Sequence, residues 1–152
     1  MLNDNKYKDI IVESLRFLVK EKRVIVYCFV IMPNHIHIIW QIQAGNKREN
    51  VQRDFLKFTA QKIKYDMKDN NPLLENFKVS AKDREYQIWE RNPLSIDIYS
   101  RKVFMEKLNY IHRNPIHEKW KLCKYPVDYK YSTAMFYETG KDNWGFLTHI
   151  AD

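Results

Sequence analysis

The sequence predicts an α+β fold, and three features of the chain support this class. Residues 24–43 hold two runs in which apolar side chains alternate, a pattern typical of half-buried strands. The Pro33-Asn34 pair between the runs predicts a tight turn, so the two strands form a hairpin. Three further segments repeat apolar side chains at helical spacing. At 152 residues, 45% of them hydrophobic, the chain is long enough to bury the core that these elements share.

The first half of the chain is predicted to contain a helix, the hairpin and a second helix. The first helix covers residues 7–22, and Asn3 or Asp4 is in position to cap its N-terminus. Its apolar stripe is formed by Ile11, Leu15 and Leu18. The second helix covers residues 47–67, with Asn46 as its expected cap. Its expected core contacts are Val51, Phe55 and Phe58.

The second half of the chain is predicted to contain a strand, a third helix and an aromatic tail. The strand covers residues 86–91 and the helix covers residues 101–114. Ser100 is the expected cap of this helix, and Pro115 is expected to end it because a residue before proline avoids the helical region. The core stripe of the helix is formed by Phe104, Leu108 and Ile111. The many aromatic side chains of the tail predict a packed layer over the domain, with a short helix near residues 132–138.

The composition argues against several classes of protein. Three glycines in the whole chain leave no Gly-rich loop for a phosphate group, so no nucleotide cofactor is expected. The longest apolar run is too short to span a bilayer and no leader segment opens the chain, so we expect no membrane association. Cys28 and Cys123 match no metal-ligand spacing and are expected to be reduced thiols of a cytoplasmic protein.

His35 and His37 stand two residues apart at the start of the second strand. Side chains repeat every two residues along a strand, so both imidazoles are expected on one face of the sheet, with Ile36 on the other. Two imidazoles held close together on a rigid strand can bind one divalent metal. The structural alternative is a pair of half-buried histidines, each satisfied by a backbone carbonyl.

Tyr110 and Asn114 lie four residues apart on the third helix and therefore share one face. The helix must lie against the sheet to bury Phe104 and Leu108, so Tyr110 can reach the surface that carries the histidines. This arrangement would bring a nucleophile and a further ligand to the histidine pair. The alternative is a tyrosine that is half-buried at the rim of the core.

The net charge of +7 is concentrated in two segments. Residues 47–68 contain seven Lys or Arg and three acids, and residues 101–130 contain eight Lys or Arg and three acids. Basic side chains interleaved with aromatic rings are typical of surfaces that contact a nucleic-acid backbone and stack its bases. Ordinary solvated helix faces are the alternative. The candidate DNA-binding residues are Lys47, Arg48, Lys57, Lys62, Lys64, Arg113, Lys119 and Lys121.

Four stretches of the chain resemble the single-tyrosine HUH transposases, in particular their REP-associated (RAYT) branch. They are VIMPNHIHIIW around the histidines, KFTA at residues 57–60, WERNP at residues 89–93 and YIHRNP at residues 110–115. The resemblance runs from about residue 5 to about residue 138. A His-hydrophobic-His pair alone is a weak signal, whereas MPNHIH followed by YIxxNP is a specific one.

The resemblance implies one domain over residues 1–152, with a ferredoxin-like antiparallel sheet and helices on one face. The core would cover about residues 5–118 and a C-terminal extension about residues 119–152. It implies a transposase that cuts and rejoins single-stranded or hairpin DNA through a 5′-phosphotyrosine intermediate. By this resemblance His35, His37 and Asn114 bind a divalent metal, Mg²⁺ or Mn²⁺, and Tyr110 attacks the scissile phosphate. Rejoining needs no ATP, because the phosphotyrosine bond keeps the phosphodiester energy.

Members of this family usually open with a strand before the first helix, whereas this chain begins at about the helix. Either the sheet lacks that strand, or another element or a second subunit supplies it, or the reading frame is truncated. A bare sheet edge would favour a homodimer. The second functional hypothesis is therefore a truncated or domesticated module that binds hairpin DNA without cutting it. The third is a metallohydrolase that uses His112 or His117 as further metal ligands.

Overall fold

The computed structural model describes residues 2–67, 89 and 94–152. Within these ranges the chain forms four α-helices and one antiparallel sheet of two strands, so the predicted α+β class is confirmed. The elements are α1 (Asn5–Lys20), β1 (Val24–Ile31), β2 (Ile36–Ile42), α2 (Arg48–Met67), α3 (Arg101–Arg113) and α4 (Ala134–Thr139). The predicted strand over residues 86–91 lies outside the described residues, apart from Trp89. No described helix is both long enough and apolar enough to cross a membrane.

The two strands form the predicted hairpin. They pair antiparallel, and the pair nearest the Pro-Asn turn is Ile31 with Ile36. The turn is closed by the N–H of Met32, which donates to the carbonyl of His35 at 2.8 Å. His35 is therefore fixed at the end of the turn, and the histidine pair opens the second strand.

Helices cover both faces of the sheet. On one face α1 and α2 form a first core that includes Ile11, Leu15, Val26, Phe29, Val51 and Phe55. On the other face α3 forms a second core that contains Cys28, Val30, Met32, Ile39, Phe104, Leu108 and Ile111. The expectation of helices on one face is therefore wrong. Neighbouring strand residues point to opposite faces of the sheet. Because Phe29 and Val30 are both apolar and buried, each face of β1 must be packed against another element.

Two of the three predicted caps begin their helices. The Asp4 side chain accepts a backbone N–H two residues further on at 3.0 Å and begins α1. The hydroxyl of Ser100 accepts the N–H of Val103 at 3.1 Å and begins α3. The expected cap of α2 is not formed, because the Asn46 side chain donates to hairpin carbonyls instead, for example to that of Gln43 at 3.2 Å.

Two details of the helices differ from the prediction. Phe58, an expected core contact of α2, is 45% exposed, because the buried stripe of that helix runs through Thr59 instead. Asn114 keeps α-helical backbone angles (φ −53°, ψ −46°) although it precedes Pro115, and the chain continues into a short 3₁₀ turn. Because the helical angles persist, Asn114 stays on the same helical face as Tyr110.

The C-terminal extension lies along the edge of β1 that faces away from β2. Val30 pairs with His37 on one side and forms an antiparallel bridge with Ser132 on the other. Val26 also pairs with β2 and forms a parallel bridge with Leu147. Three backbone hydrogen bonds join this edge to the extension. The N–H of Ile31 donates to the carbonyl of Tyr131 at 2.9 Å, and the N–H of Thr133 donates to the carbonyl of Phe29 at 3.1 Å. The N–H of Thr148 donates to the carbonyl of Val26 at 3.0 Å. The same chain therefore supplies neighbours for this edge of β1.

Candidate active site

The two histidines project from the same face of the sheet. The centroids of the His35 and His37 rings lie 5.0 Å apart, with the ring planes nearly perpendicular. Ile36 between them packs against the first core on the opposite face. The prediction that both imidazoles leave one face is confirmed, and it follows from the two-residue repeat of the strand.

Burial keeps both imidazoles in their neutral form near pH 7. For His37, loss of solvation lowers the pKa first, and the charge of His35 lowers it further. For His35, loss of solvation lowers the pKa most, the charge of Lys119 lowers it further, and a hydrogen bond with the Asn114 side chain opposes both. A neutral imidazole carries the lone pair that a metal needs.

The Asn34 side chain orients the ring of His35. Its Oδ1 lies 2.6 Å from Nδ1 of His35 and accepts a hydrogen bond when that nitrogen carries the proton. Nε2 then keeps its lone pair for a ligand. Histidines that bind metals commonly donate the other ring N–H in this way, which holds the ring orientation and the tautomer. The Asn of the Pro-Asn turn therefore does more than reverse the chain.

Tyr110 on α3 lies beside the histidine pair. The centroid of its ring is 5.7 Å from that of His37, and the ring planes are nearly perpendicular. The side chain is 62% exposed, so a polymer lying on the surface can reach its hydroxyl. Phe104 and Leu108 bury the neighbouring stripe of α3 against the sheet and hold the helix in place. The prediction that Tyr110 reaches the sheet surface of the histidines is confirmed.

The residues that meet at this point can hold a divalent metal. His35 and His37 offer imidazole nitrogens, and Asn114, which bonds to His35, offers an amide oxygen. Among the described residues no group of three His, Cys, Asp or Glu side chains is placed to bind a metal. A set of two imidazoles and an amide suits Mn²⁺ better than Mg²⁺, which prefers oxygen ligands.

Three basic residues lie close to Asn114 in the sequence, at and after the end of α3. Arg113 directly precedes Asn114 and is exposed, as are Lys119 and Lys121. The charge of Lys119 reaches the imidazole of His35, since it lowers the pKa of that ring. Lys119 is therefore the basic side chain whose charge is felt at the histidine pair.

The basic residues of α2 are separated from the site. This helix packs on the opposite face of the sheet, where the rings of Phe55 and Trp40 lie 5.7 Å apart. Lys57 and Lys62 are exposed and Lys64 is half-buried on this helix. At its start Lys47 is exposed, and Arg48 forms an ion pair with Asp97 at 3.4 Å. The described basic residues of α2 thus lie on the face of the sheet opposite the histidine pair.

His112 is held away from the histidine pair. It is buried in contact with the second core, where its Nε2 lies 2.8 Å from Oγ1 of Thr133 and 3.5 Å from Sγ of Cys28. Burial lowers the pKa of His112 to about 4 and raises that of the Cys28 thiol to about 12, so both are neutral near pH 7. This placement gives His112 a structural role and not that of a ligand beside His35 and His37.

Sequence reasoning missed Trp120 as a residue of the site. Its ring centroid lies 5.7 Å from that of His35, and the Lys119 ammonium lies 5.3 Å from its centre. The available signal was the Lys-Trp-Lys run a few residues after YIHRNP, in a tail that was predicted only to form a packed layer. Comparisons with protein families, characterised proteins and solved structures gave no match to this chain.

Proposed function

We propose that this protein cuts and rejoins single-stranded DNA, with Tyr110 as the nucleophile. The observation that carries the proposal is the contact between the exposed ring of Tyr110 and the ring of His37, at 5.7 Å. An exposed phenol beside two neutral imidazoles suits phosphoryl transfer. A tyrosine that served only packing would be expected to bury more of its ring. The resemblance of the MPNHIH and YIHRNP stretches to single-tyrosine HUH transposases supports the same chemistry.

In the proposed cleavage step, the hydroxyl oxygen of Tyr110 attacks the scissile phosphorus. A bond forms between that oxygen and phosphorus, and the bond from phosphorus to the 3′ oxygen breaks. The phenol loses a proton and the leaving oxygen takes one up, so the products are a 5′-phosphotyrosine and a free 3′-hydroxyl. Rejoining is the same exchange in reverse, with a 3′-hydroxyl as the attacking group, and it needs no ATP.

In this proposal His35, His37 and Asn114 would hold the divalent cation. A bound divalent cation polarises the phosphate and stabilises the charge that develops during transfer, which matters because a phenol is a weak nucleophile at neutral pH. The Asn34 side chain keeps the His35 ring oriented through its hydrogen bond of 2.6 Å. Arg113, Lys119 and Lys121 would contact the phosphates on either side of the scissile bond.

The α+β fold with its antiparallel hairpin is consistent with a ferredoxin-like arrangement. We infer that the hairpin and the helices on its two faces are the part of such a core that carries the site. The bridges of Ser132 and Leu147 would support β1, which pairs with the strand that carries His37. A site supported in this way favours the enzyme over a module that only binds hairpin DNA. Whether two copies associate is a separate question that gel filtration with light scattering answers.

The test is the formation of a covalent adduct. The protein is incubated with a fluorescent hairpin oligonucleotide that has single-stranded flanks and with Mn²⁺, and the products are separated on a denaturing gel. We expect a protein–DNA adduct that mass spectrometry maps to Tyr110, and we expect Tyr110→Phe to abolish it. Tyr125→Phe is the matched control, because Tyr125 is also an exposed tyrosine (56%) and should leave the adduct unchanged.

The same experiment separates the two functional hypotheses. Binding of the oligonucleotide without any adduct, in Mn²⁺ and in Mg²⁺, would support the hairpin-binding module. An adduct that survives in Tyr110→Phe would show that another group is the nucleophile and would overturn the proposal.

A further inference from the structure

We infer that Trp120 is a stacking platform for an unpaired base of the DNA strand that lies at Tyr110. This inference rests on the proposed function and names the feature of the substrate that the site recognises. A series of ring contacts runs from Tyr110 through His37 and His35 to Trp120, with centroid distances of 5.7, 5.0 and 5.7 Å. The indole thus borders the proposed reaction centre, within the span of a few nucleotides.

The turn that carries Trp120 is tied to the end of α3, and its indole packs beside the site. Its side chain is half-buried and packs against the second core. The backbone N–H of Trp120 donates to the carbonyl of His117 at 2.8 Å, and the backbone N–H of Leu122 donates to the carbonyl of Pro115 at 2.8 Å. These bonds tie the turn to the end of α3, which also carries Asn114. A ring that is packed in this way loses little conformational entropy when a base stacks on it, so such a ring suits binding.

The charges around the indole also suit a nucleotide. The Lys119 ammonium lies 5.3 Å from the centre of the Trp120 ring, and Lys121 follows on an exposed side chain. Proteins that hold single strands combine aromatic rings for the bases with cations for the phosphates. In a duplex, neighbouring bases already cover both faces of each base. The indole therefore selects an unpaired base, and the site as a whole selects single-stranded DNA next to the scissile bond.

The alternative is a tryptophan that only fills space beside His35. The two roles differ in one observable property, which is whether binding depends on the bases of the strand or on its phosphates alone. A packing role would change the affinity for both kinds of strand equally, through the stability or shape of the surface. A stacking role changes only the affinity for a strand that carries bases.

The experiment compares two 12-residue strands, oligothymidine and an abasic strand with the same phosphates. Binding is measured by fluorescence anisotropy in EDTA with the Tyr110→Phe variant, so that neither metal nor cleavage contributes. We expect Trp120→Leu in this background to weaken oligothymidine binding by about fivefold or more, the effect of losing one stacked base. Binding of the abasic strand should change by less than about twofold. Trp120→Tyr, which keeps an aromatic face, should restore most of the base-dependent affinity.

Tyr125→Leu provides the matched control. Tyr125 also has a lysine over its ring, with Lys124 Nζ at 5.4 Å, and is 56% exposed, but no ring contact joins it to the described histidine pair. We expect this variant to bind both strands as its parent does. Equal losses for the two strands in Trp120→Leu, or no loss for oligothymidine, would overturn the inference.

A second measurement needs no variant and therefore does not depend on Trp120→Leu folding. A 12-residue strand of 5-iododeoxyuridine is irradiated on the unsubstituted protein in EDTA, and the attached peptide is sequenced by mass spectrometry. We expect attachment at Trp120, and attachment only to peptides that lack Trp120 would contradict the stacking role. Because both measurements exclude cleavage, they can succeed when no adduct forms at Tyr110, and they can fail when one does. The two proposals are thus tested separately.

Discussion

The ring of Tyr110 on α3 contacts the ring of His37 on β2, although the two residues belong to distant parts of the chain. The contact depends on α3, whose stripe of Phe104, Leu108 and Ile111 is buried against the sheet. The candidate nucleophile and the candidate metal ligands are therefore aligned by hydrophobic packing and not by local sequence. The position of Asn114, at the end of the same helix, follows from the same packing.

Mn²⁺ binding should depend on the two histidines and on Asn114. We expect His37→Gln and Asn114→Ala each to lower the affinity for Mn²⁺ by about tenfold or more, because each removes one of few ligands. Asn114→Asp should strengthen Mg²⁺ binding, since a carboxylate is a harder and more strongly binding oxygen ligand. Electron paramagnetic resonance of free Mn²⁺ and isothermal titration of Mg²⁺, both without DNA, measure these effects.

The control for the metal prediction is His117→Gln, which changes an exposed histidine outside the ring contacts of the site. Its affinity for Mn²⁺ should equal that of the unsubstituted protein. Equal loss of Mn²⁺ in His117→Gln and His37→Gln would mean that the metal binds elsewhere. A loss in His112→Ala with Asn114→Ala unaffected would instead support the metallohydrolase hypothesis.

Thr133→Val should destabilise the fold. The Thr133 hydroxyl accepts the N–H of Phe29 at 3.1 Å and lies 2.8 Å from Nε2 of His112, all in buried positions. Valine has the same shape but removes these two hydrogen bonds from buried groups, which costs about 2 kcal/mol. Urea denaturation followed by circular dichroism measures the change in the free energy of unfolding. Thr139→Val, the same change at an exposed helix end, should stay within about 0.5 kcal/mol.

His112 should make the protein less stable in mild acid. Its pKa is about 4 in the folded state, below its usual value of 6.5, so the unfolded chain takes up a proton first as the pH falls. The stabilisation is complete above about pH 6.5 and is lost as the pH falls towards 4. Between pH 7 and pH 5 this amounts to about 2 kcal/mol, since one pKa unit corresponds to about 1.4 kcal/mol.

The variant His112→Gln isolates this contribution, because glutamine does not titrate and keeps a polar group beside Thr133. The unfolding free energy of the variant should fall less between pH 7 and pH 5 than that of the unsubstituted protein. The comparison is needed because burial also lowers the pKa of His35 and of His37, which add a slope of the same sign. Identical slopes for the two proteins would show that His112 is not protected from protonation in the folded state.

The two basic segments should contribute differently to DNA binding. Arg113→Gln and Lys119→Gln remove charges at and after the end of α3, whereas Lys57→Gln and Lys62→Gln remove charges from α2 on the face opposite the histidine pair. Each change of the first kind should reduce the slope of log affinity against log salt concentration by about 0.7, the value for one phosphate contact with a single strand. The changes on α2 should leave the slope unaltered.

Titrations of oligothymidine at several salt concentrations, with Tyr110→Phe as the parent, measure these slopes. If the α2 variants lose as much of the slope as the others, the strand wraps around both faces of the sheet. The initial set of eight basic candidates would then describe one continuous path, and the site would cover a longer stretch of DNA than the geometry of α3 suggests.

The local elements of this protein can be predicted from its sequence, because each depends on neighbouring residues. The alternation of residues 24–43 predicts the hairpin, and the Asp4 and Ser100 side chains mark the beginnings of their helices. The common face of His35 and His37 follows from strand geometry alone. These properties can be predicted without knowing which helix packs on which face of the sheet.

Properties that depend on contacts between distant residues became visible only in the folded chain. The sequence pattern predicted that Phe58 of α2 faces the core, whereas packing leaves this ring exposed and puts α2 on the face of the sheet opposite the histidines. The bridges from Ser132 and Leu147 to β1, and the position of Trp120 beside His35, also join segments far apart in sequence. Periodicity shows that a face is apolar but not which apolar face it meets, because that choice depends on how all the faces fit together.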